Sequence, residues 1–322
     1  MAISKVQWVI SMSVERIRVL ICDSISKKGI ELLSSAGFEV SYIPDITSDE
    51  LVKTISNFEV VIVRSRTKLT RNVIVAGKSL KAIGRAGVGL DNVDVEAAKE
   101  IGAKVFNTPD ALTNAVSELA IGLMLNLARG ISLGDSSLRK DEWLKNSLMG
   151  VELKGKVLGI VGLGRIGKRI AELSNAFGMT VCYYDVVDIP DAVLNQLKLT
   201  FMEVDELLSK CDFITLNIPL TPSTKHFINS DKLLKMKQTA YLINTSRGGV
   251  IDEHALYNSL KSGSIKGAAL DVFEVEPPLK NELLTLPNML CTPHIGAQTE
   301  EAQEIAAVSV SEKIIDFFKP IG

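Results

Sequence analysis

Residues 157–167 read VLGIVGLGRIG: an apolar run of strand length that breaks into Gly162-Leu163-Gly164-Arg165-Ile166-Gly167 and continues into the helix-like KRIAELSNAF. Each glycine has a separate use in such a turn. Gly162 allows the sharp exit from the strand, Gly164 lets a pyrophosphate approach the backbone, and Gly167 lets the helix pack close to the sheet. The N–H groups that open the helix, at Arg165 and Ile166, face the anion. The next strand, Thr180-Val181-Cys182-Tyr183-Tyr184, ends at Asp185, where an acidic residue bonds the adenosine ribose hydroxyls. A carboxylate there repels a ribose 2′-phosphate, so the expected dinucleotide is NAD rather than NADP.

The rest of the chain is built in the same style. Short apolar strands alternate with helical stretches, the pattern of parallel sheets made from βαβ units. The pattern occurs twice, as expected for 322 residues at about 150 per domain. The first block has strands near 17–22, 38–42, 60–63, 81–84 and 104–106 and no phosphate-binding glycine fingerprint. A linker follows at Asn107-Thr108-Pro109, where Pro109 pushes Thr108 toward an extended conformation. The second block runs to about Gly296, with strands near 157–161, 180–184, 213–216, 241–244, 267–271 and 289–292. A long helix from Gln298 to Phe318 closes the chain.

Composition excludes several classes of function. The net charge is −2, the pI is near 6.0, and the basic residues are dispersed, so neither nucleic acid nor an anionic membrane is an expected partner. Cys22, Cys182, Cys211 and Cys291 form no CxxC pair; they read as buried free thiols of a reducing compartment, not as a disulfide or metal framework. The stretch before Ile17 is too short for a membrane span and has no cleavage site, which makes it a tail or a surface helix, with Met12 a possible second start. The expected location is the cytoplasm. The segment Asn114–Arg129 is apolar on nearly every side and must be covered all round, either as a core helix or as a subunit interface.

Chemistry collects where strands end, which is where open parallel sheets bind ligands. Three such ends carry Thr245-Ser246-Arg247-Gly248-Gly249, Val272-Phe273-Glu274-Val275-Glu276-Pro277-Pro278 and Pro293-His294-Ile295-Gly296. A guanidinium holds a carboxylate through paired bonds, an imidazole exchanges a proton near neutral pH, and a carboxylate beside it favours the imidazolium. That combination suits carbonyl reduction on a 2-oxo acid. His226 and His254 read as structural.

These motifs carry a resemblance. VRSRTKLT (63–70), GRAGVGLDNVD (84–94), NTPDALTNAVSELAIGLMLNLAR (107–129), LKGKVLGIVGLGRIGKRIA (153–171), NTSRGGVIDE (244–253), ALDVFEVEP (269–277) and TPHIGAQT (292–299) resemble the D-isomer-specific 2-hydroxyacid dehydrogenase family, in its order and from about Ile17 onward. Within the family the chain is most similar to the phosphoglycerate-oxidising branch, in a form without the C-terminal regulatory domain. The resemblance implies an α/β fold of two doubly wound parallel-sheet domains. An NAD-binding Rossmann domain (108–296) is inserted into a flavodoxin-like substrate-binding domain (1–107 and 297–322). The crossings near Asn107 and Gly296 then act as hinges, and closure excludes water around the hydride.

It also implies roles. His294 is the acid/base, Glu276 its carboxylate partner, and Arg247 grips the substrate carboxylate. Asn217, Pro219, Thr245, Ser246, Asp271, His294 and Gly296 join the glycine loop and Asp185 around NAD. Gly87, Val88 and Gly89 offer backbone donors to the substrate, with Ser65 and Asn107 beside them. Arg64 and Arg85 match arginines next to the substrate phosphate, and Lys145 matches a basic position reaching in from a partner subunit, so a homodimer through 114–150 is expected; no metal is.

The implied reaction is NAD-dependent oxidation of D-3-phosphoglycerate to 3-phosphohydroxypyruvate, the first step of phosphorylated serine biosynthesis. The alternative is a glyoxylate or hydroxypyruvate reductase, whose relatives generally lack the arginine of the GRAGVG segment. A non-enzymatic NAD sensor similar to the C-terminal-binding-protein corepressors requires a peptide groove and extra tails, for which the sequence carries no signature.

Overall fold

The computed structural model describes residues 16–319; the expectations for the first thirteen residues lie outside them. The chain forms two compact units, one running to Ala111 and resuming at Gln303, the other Leu112–Ala302.

In the first unit, β1 (Arg18–Ile21), β2 (Glu39–Tyr42), β3 (Val60–Val63), β4 (Ala82–Arg85) and β5 (Lys104–Asn107) form one sheet in the order β2-β1-β3-β4-β5. Every pairing is parallel, and this is the flavodoxin-like strand order. β3 is VVIV and buried throughout, because helices cover both faces of a parallel sheet. The crossovers are α1 (Lys27–Ser35), α2 (Ser48–Thr54), α3 (Arg71–Ala76) and α4 (Val95–Glu100). Thr47 and Glu50 start α2 with a reciprocal capping box, and the Asp94 side chain caps α4.

The second unit opens with α5 (Thr113–Arg129), which packs against α7 (Arg165–Ala176) and the strands β10 (Tyr241–Asn244) and β11 (Gly267–Leu270). Its small and apolar side chains Ala115, Val116, Ala120, Ile121, Leu123, Met124 and Ala128 are buried, so one face is core within this chain. Gly130, in the left-handed conformation at φ 62°, ends α5 and turns the chain by 64° into α6 (Ile131–Leu138). Among the described residues no single helix is long and apolar enough to cross a membrane; the bent pair α5 and α6 passes only when joined.

The sheet of this unit adds β6 (Val157–Val161), β7 (Thr180–Tyr184), β8 (Leu199–Phe201), β9 (Phe213–Leu216) and β12 (Met289–Cys291), in the order β12-β11-β10-β9-β6-β7-β8. All pairings are parallel, and counted from β6 this is the Rossmann order with a seventh strand. The remaining helices are α8 (Asp191–Leu197), α9 (Val204–Lys210), α10 (Ser230–Lys235) and α11 (Glu253–Ser262). Cys22, Cys182 and Cys211 are buried free thiols; Cys291, expected to be buried, is only half so, because it ends the edge strand β12.

The last helix, α12 (Glu300–Phe318), packs on the first unit. A Cβ at Gly29 would come within 2.8 Å of the Ala307 carbonyl, and one at Gly84 within 2.8 Å of Val310, so both glycines permit close approach to α12. Lys313 Nζ donates to the Asn107 carbonyl at 2.7 Å.

Candidate active site

The glycine loop leaves β6 at the point where the strand order reverses between β6 and β9, the place where doubly wound sheets bind ligands. Gly162 has φ 93°, and a Cβ there would lie 2.8 Å from the Asn217 carbonyl on the loop after β9. At Gly167 a Cβ would meet the Gly162 carbonyl at 2.3 Å, which fixes α7 against the loop. Gly164, the residue before α7, faces open space. Thus two glycines are required by the protein's own backbone, while Gly164 alone leaves room for a guest. Arg165 and Ile166 form the first turn of α7, their N–H groups at the positive end of the helix.

Asp185 follows β7. One carboxylate oxygen accepts the Leu163 N–H of the glycine loop at 2.6 Å, the other the Val187 N–H at 3.0 Å. Each oxygen keeps a lone pair for a ribose hydroxyl. A recess of about 400 Å³ lies beside it, walled by Tyr183, Ile189, Leu194 and Phe201, with Asp188 and Asp191 at its edge. On the other side of the loop, Thr245 Oγ1 and Asn217 Oδ1 are buried without a protein partner. Open space at Gly164, the acceptor at Asp185 and these unpaired polar atoms together suit a dinucleotide.

The loop after β10 is wound on Asn244, a fully buried residue. Its Oδ1 accepts the Ser246 N–H (3.0 Å) and hydroxyl (2.8 Å), while its Nδ2 donates to the Arg247 carbonyl at 2.8 Å. Arg247 Nη1 in turn donates to the Ser246 carbonyl at 2.7 Å. Gly248 sits so close to the next loop that a Cβ would fall 1.9 Å from the Phe273 carbonyl carbon. No side chain fits there, and the loop bearing Arg247 is thereby set against the loop bearing Glu276. Pro219, on the β9 loop, accepts the Thr224 hydroxyl at 2.6 Å through its carbonyl.

Asp271, at the end of β11, is buried and spends three bonds on the loop after β12. It accepts the Thr292 hydroxyl (2.6 Å), the Ile295 N–H (2.8 Å) and the Gly296 N–H (2.8 Å). His294, held inside this loop, has a positive φ of 53°. Its Nδ1 lies 2.7 Å from Glu276 Oε2, and Glu276 Oε1 accepts the Phe273 N–H at 3.1 Å. Burial alone would raise the Glu276 carboxyl; the bonds from His294 and Phe273 and the charges of His294 and Arg247 outweigh it and hold the group below the usual glutamate value. An ionised Glu276 keeps the proton on Nδ1 and leaves Nε2 to exchange one with a ligand.

The first unit carries its own set of charges, also at a switch point, here between β1 and β3. Arg64 and Arg85 end or follow the adjacent strands β3 and β4, where Val63 pairs with Arg85. Burial lowers the Arg64 guanidinium pKa, against the pull of Asp23. Its Nη1 donates to the Ser24 carbonyl at 3.1 Å. Arg85 lies over the backbone of Gly87, whose φ of 147° only glycine adopts readily. Asn107 Nδ2 donates to the Val88 carbonyl at 2.7 Å, so in this structure Asn107 shapes the Gly87-Val88-Gly89 turn. Ser65 is exposed beside Arg64, and Gly89 is half-buried. Lys145 is exposed on the segment after α6 of the second unit.

Two supports have no signal in local spacing. Asp23, buried, pairs with Arg66 at 3.0 Å and accepts the Thr67 hydroxyl at 2.7 Å. Asn92 Nδ2 donates to the carbonyls of Arg64 and Thr67, both at 2.6 Å, tying the arginine loop to the turn after β4. Asp23 and Arg66 lie 43 residues apart in sequence, a pairing that only the fold reveals.

The two parallel sheets and the dinucleotide-fitted loop define a doubly wound α/β protein with a nucleotide-binding unit. Residues 121–296 match the family model described as "D-isomer specific 2-hydroxyacid dehydrogenase, NAD binding domain". The chain is 47% identical over 299 residues to a D-3-phosphoglycerate dehydrogenase of Methanocaldococcus jannaschii, covering 92% of this chain and 57% of that one. It is 46% identical over 310 residues to a hydroxypyruvate reductase of Thermotoga maritima, covering 95% of this chain and 99% of that one. The crystal structure of a glyoxylate reductase from Paecilomyes thermophila superposes with a TM-score of 0.87 at 31% identity, covering 95% and 96%. The chain belongs to the D-isomer specific 2-hydroxyacid dehydrogenase family, with NAD as its cofactor. It spans little more than half the length of the phosphoglycerate dehydrogenase it matches.

Proposed function

We propose that this chain is an NAD-dependent dehydrogenase that oxidises D-3-phosphoglycerate to 3-phosphohydroxypyruvate. The observation that carries the chemistry is the 2.7 Å contact between His294 Nδ1 and Glu276 Oε2, on the loop against which Gly248 packs the Arg247 turn. Bound NAD supplies the acceptor for the hydride from C2 of the hydroxy acid. Arg247 holds the substrate carboxylate and orients C2. His294 Nε2 takes the C2 hydroxyl proton as the carbonyl forms, and the Glu276 carboxylate stabilises the imidazolium that results. In the reverse direction the imidazolium returns the proton to the carbonyl oxygen. Arg64 and Arg85 take the phosphate, which lies away from the reacting carbon.

A second reading, reduction of hydroxypyruvate or glyoxylate, is favoured by one fact: the chain matches the Thermotoga reductase over almost its whole length. Steady-state oxidation of a panel of 2-hydroxy acids with NAD, and reduction of the matching 2-oxo acids with NADH, separates the two. Phosphoglycerate should give the highest kcat/KM. A preference for unphosphorylated glycerate, with hydroxypyruvate the better 2-oxo acid, would overturn the assignment in favour of the second reading.

The same proposal takes the chain as a cytoplasmic homodimer. In support, the segment 131–149 of the second unit exposes several large apolar side chains, Ile131 and Leu138 of α6, Trp143 (77% exposed) and Met149 (86% exposed), beside Lys145. The buried free thiols suit a reducing compartment. Sedimentation of the wild type against Trp143→Asp tests the dimer.

A further inference from the structure

Behind the Arg247 and Glu276 loops lies a set of contacts that the reaction does not use. α11 begins at Glu253, with the Asp252 side chain accepting the Ala255 N–H at 3.0 Å as its cap. The Glu253 N–H donates to Glu274 Oε1 at 3.1 Å, and the Glu274 N–H donates back to Glu253 Oε1 at 2.6 Å. Asn281 Nδ2 donates to Glu253 Oε2 at 2.6 Å. Glu276 sits between these two attachment points, so one carboxylate grips the segment on both sides of the group that orients His294.

Other contacts converge on the same clasp. His226 Nε2 lies 3.2 Å from Glu274 Oε1, and the His226 N–H donates to the Gly249 carbonyl at 2.8 Å. His226 thus lies between the turn of Arg247 and the segment of Glu276, bonded to the first through its backbone and close to the second without a hydrogen bond. A third carboxylate beside Glu274 and Glu276 is electrostatically costly. Burial and those two neighbouring charges push the Glu253 carboxyl above the ordinary value, although its hydrogen bonds act in the other direction. A residue whose only task was to start a helix would need neither the burial nor the two outward bonds.

We propose that Glu253 is a positioning residue for the dehydrogenase reaction: its carboxylate clamps the Glu274 and Asn281 ends of one segment and so holds Glu276 at hydrogen-bond distance from His294. The inference rests on the dehydrogenase reading above. Without the clamp the segment keeps the Gly248 contact and the bond from the Glu253 N–H, so the unit folds, but Glu276 loses its fixed distance to the imidazole. Misplacement of a catalytic group by about 1 Å costs on the order of a hundredfold in rate.

The test is steady-state kinetics, a pH–rate profile and NADH titration on the wild type, Glu253→Ala, Glu253→Gln, Glu276→Gln and the Glu253→Ala/Glu276→Gln double variant. Glu253→Ala should lower kcat by about tenfold to a hundredfold, leave NADH affinity and Tm near the wild type, and move the alkaline limit of reduction in the same direction as Glu276→Gln. Glu253→Gln keeps the acceptor for the Glu274 N–H and should recover part of the rate. The double variant should be no more than about twofold slower than Glu276→Gln, because Glu253 acts through Glu276. Multiplying losses with an unmoved pH profile, or an unchanged kcat in Glu253→Ala, would overturn the proposal. Should Glu253→Ala not fold, Glu253→Gln and Asn281→Ala decide: a partial loss of rate with a shifted profile supports the clamp, and wild-type behaviour of both refutes it. Impairment of Glu276→Gln but not of the Glu253 variants defeats this inference alone. A wild type that turns over no 2-hydroxy or 2-oxo acid defeats the dehydrogenase reading and this inference with it.

Discussion

His294 adopts a positive φ, a conformation that costs a non-glycine residue on the order of 1 kcal/mol, and the Asp271 carboxylate bonds the loop on both sides of it. The fold thus spends a buried charge on the direction of one imidazole. Replacing His294 by alanine should lower kcat by about 10²–10⁴ while NADH still binds, as titration of NADH fluorescence would report. Glu276→Gln tests the pair itself. The wild-type carboxyl is held below the usual glutamate value, so it stays ionised through neutral pH, and its support is lost only as pH falls through that lowered value. Removing its charge disfavours the imidazolium that reduction needs, so the alkaline fall of the reduction rate should begin at lower pH. An unmoved limb would dissociate Glu276 from the proton transfer. Asp185 acts by charge too: Asp185→Ser should relax the preference for NAD over NADP, and a wild type that uses both equally would remove its assignment.

At the scale of elements, the glycine loop offers a contrast between two substitutions three residues apart. Gly167→Ala forces a Cβ against the Gly162 carbonyl at 2.3 Å and should cost about 1–3 kcal/mol of stability, seen as a lower Tm. Gly164→Ala meets no protein atom within 4 Å, so Tm should stay near the wild type while NADH affinity falls. Equal loss of Tm in both would mean that Gly164 serves the fold. This loop was readable from sequence because its order, strand then glycines then helix, is local. So were the three strand-end tails, since strand ends collect on one side of a parallel sheet. β8 was not foreseen: it is three residues, two of them exposed, at the sheet edge, and gives no apolar run. α6 was not foreseen either: the glycine and serines of ISLGDSSL are weak helix formers. The supports at Asp23, Asn92 and Glu253 escape sequence reading for another reason. Their partners are set by tertiary contact, and a buried asparagine or carboxylate looks in sequence like any loop residue.

Across the whole molecule, each unit has a feature of the site at its own switch point: Asp23 and Arg64 between β1 and β3, the glycine loop between β6 and β9. The residues proposed for proton transfer belong to the second unit, and those proposed for the phosphate belong to the first. This division makes substrate choice separable from catalysis. Arg64→Ala and Arg85→Ala each remove a charge-assisted contact, about 1.5–3 kcal/mol, and should lower kcat/KM for phosphoglycerate by roughly tenfold to a hundredfold. Glyoxylate carries no phosphate for Arg64 or Arg85 to hold, so its kcat/KM should barely change. The ratio of the two substrates' kcat/KM values is the measurement, since it cancels any general damage to the enzyme. If both substrates weaken equally in either variant, that arginine serves the fold or the carboxylate site, and the preference for a phosphorylated substrate must be sought elsewhere in the chain.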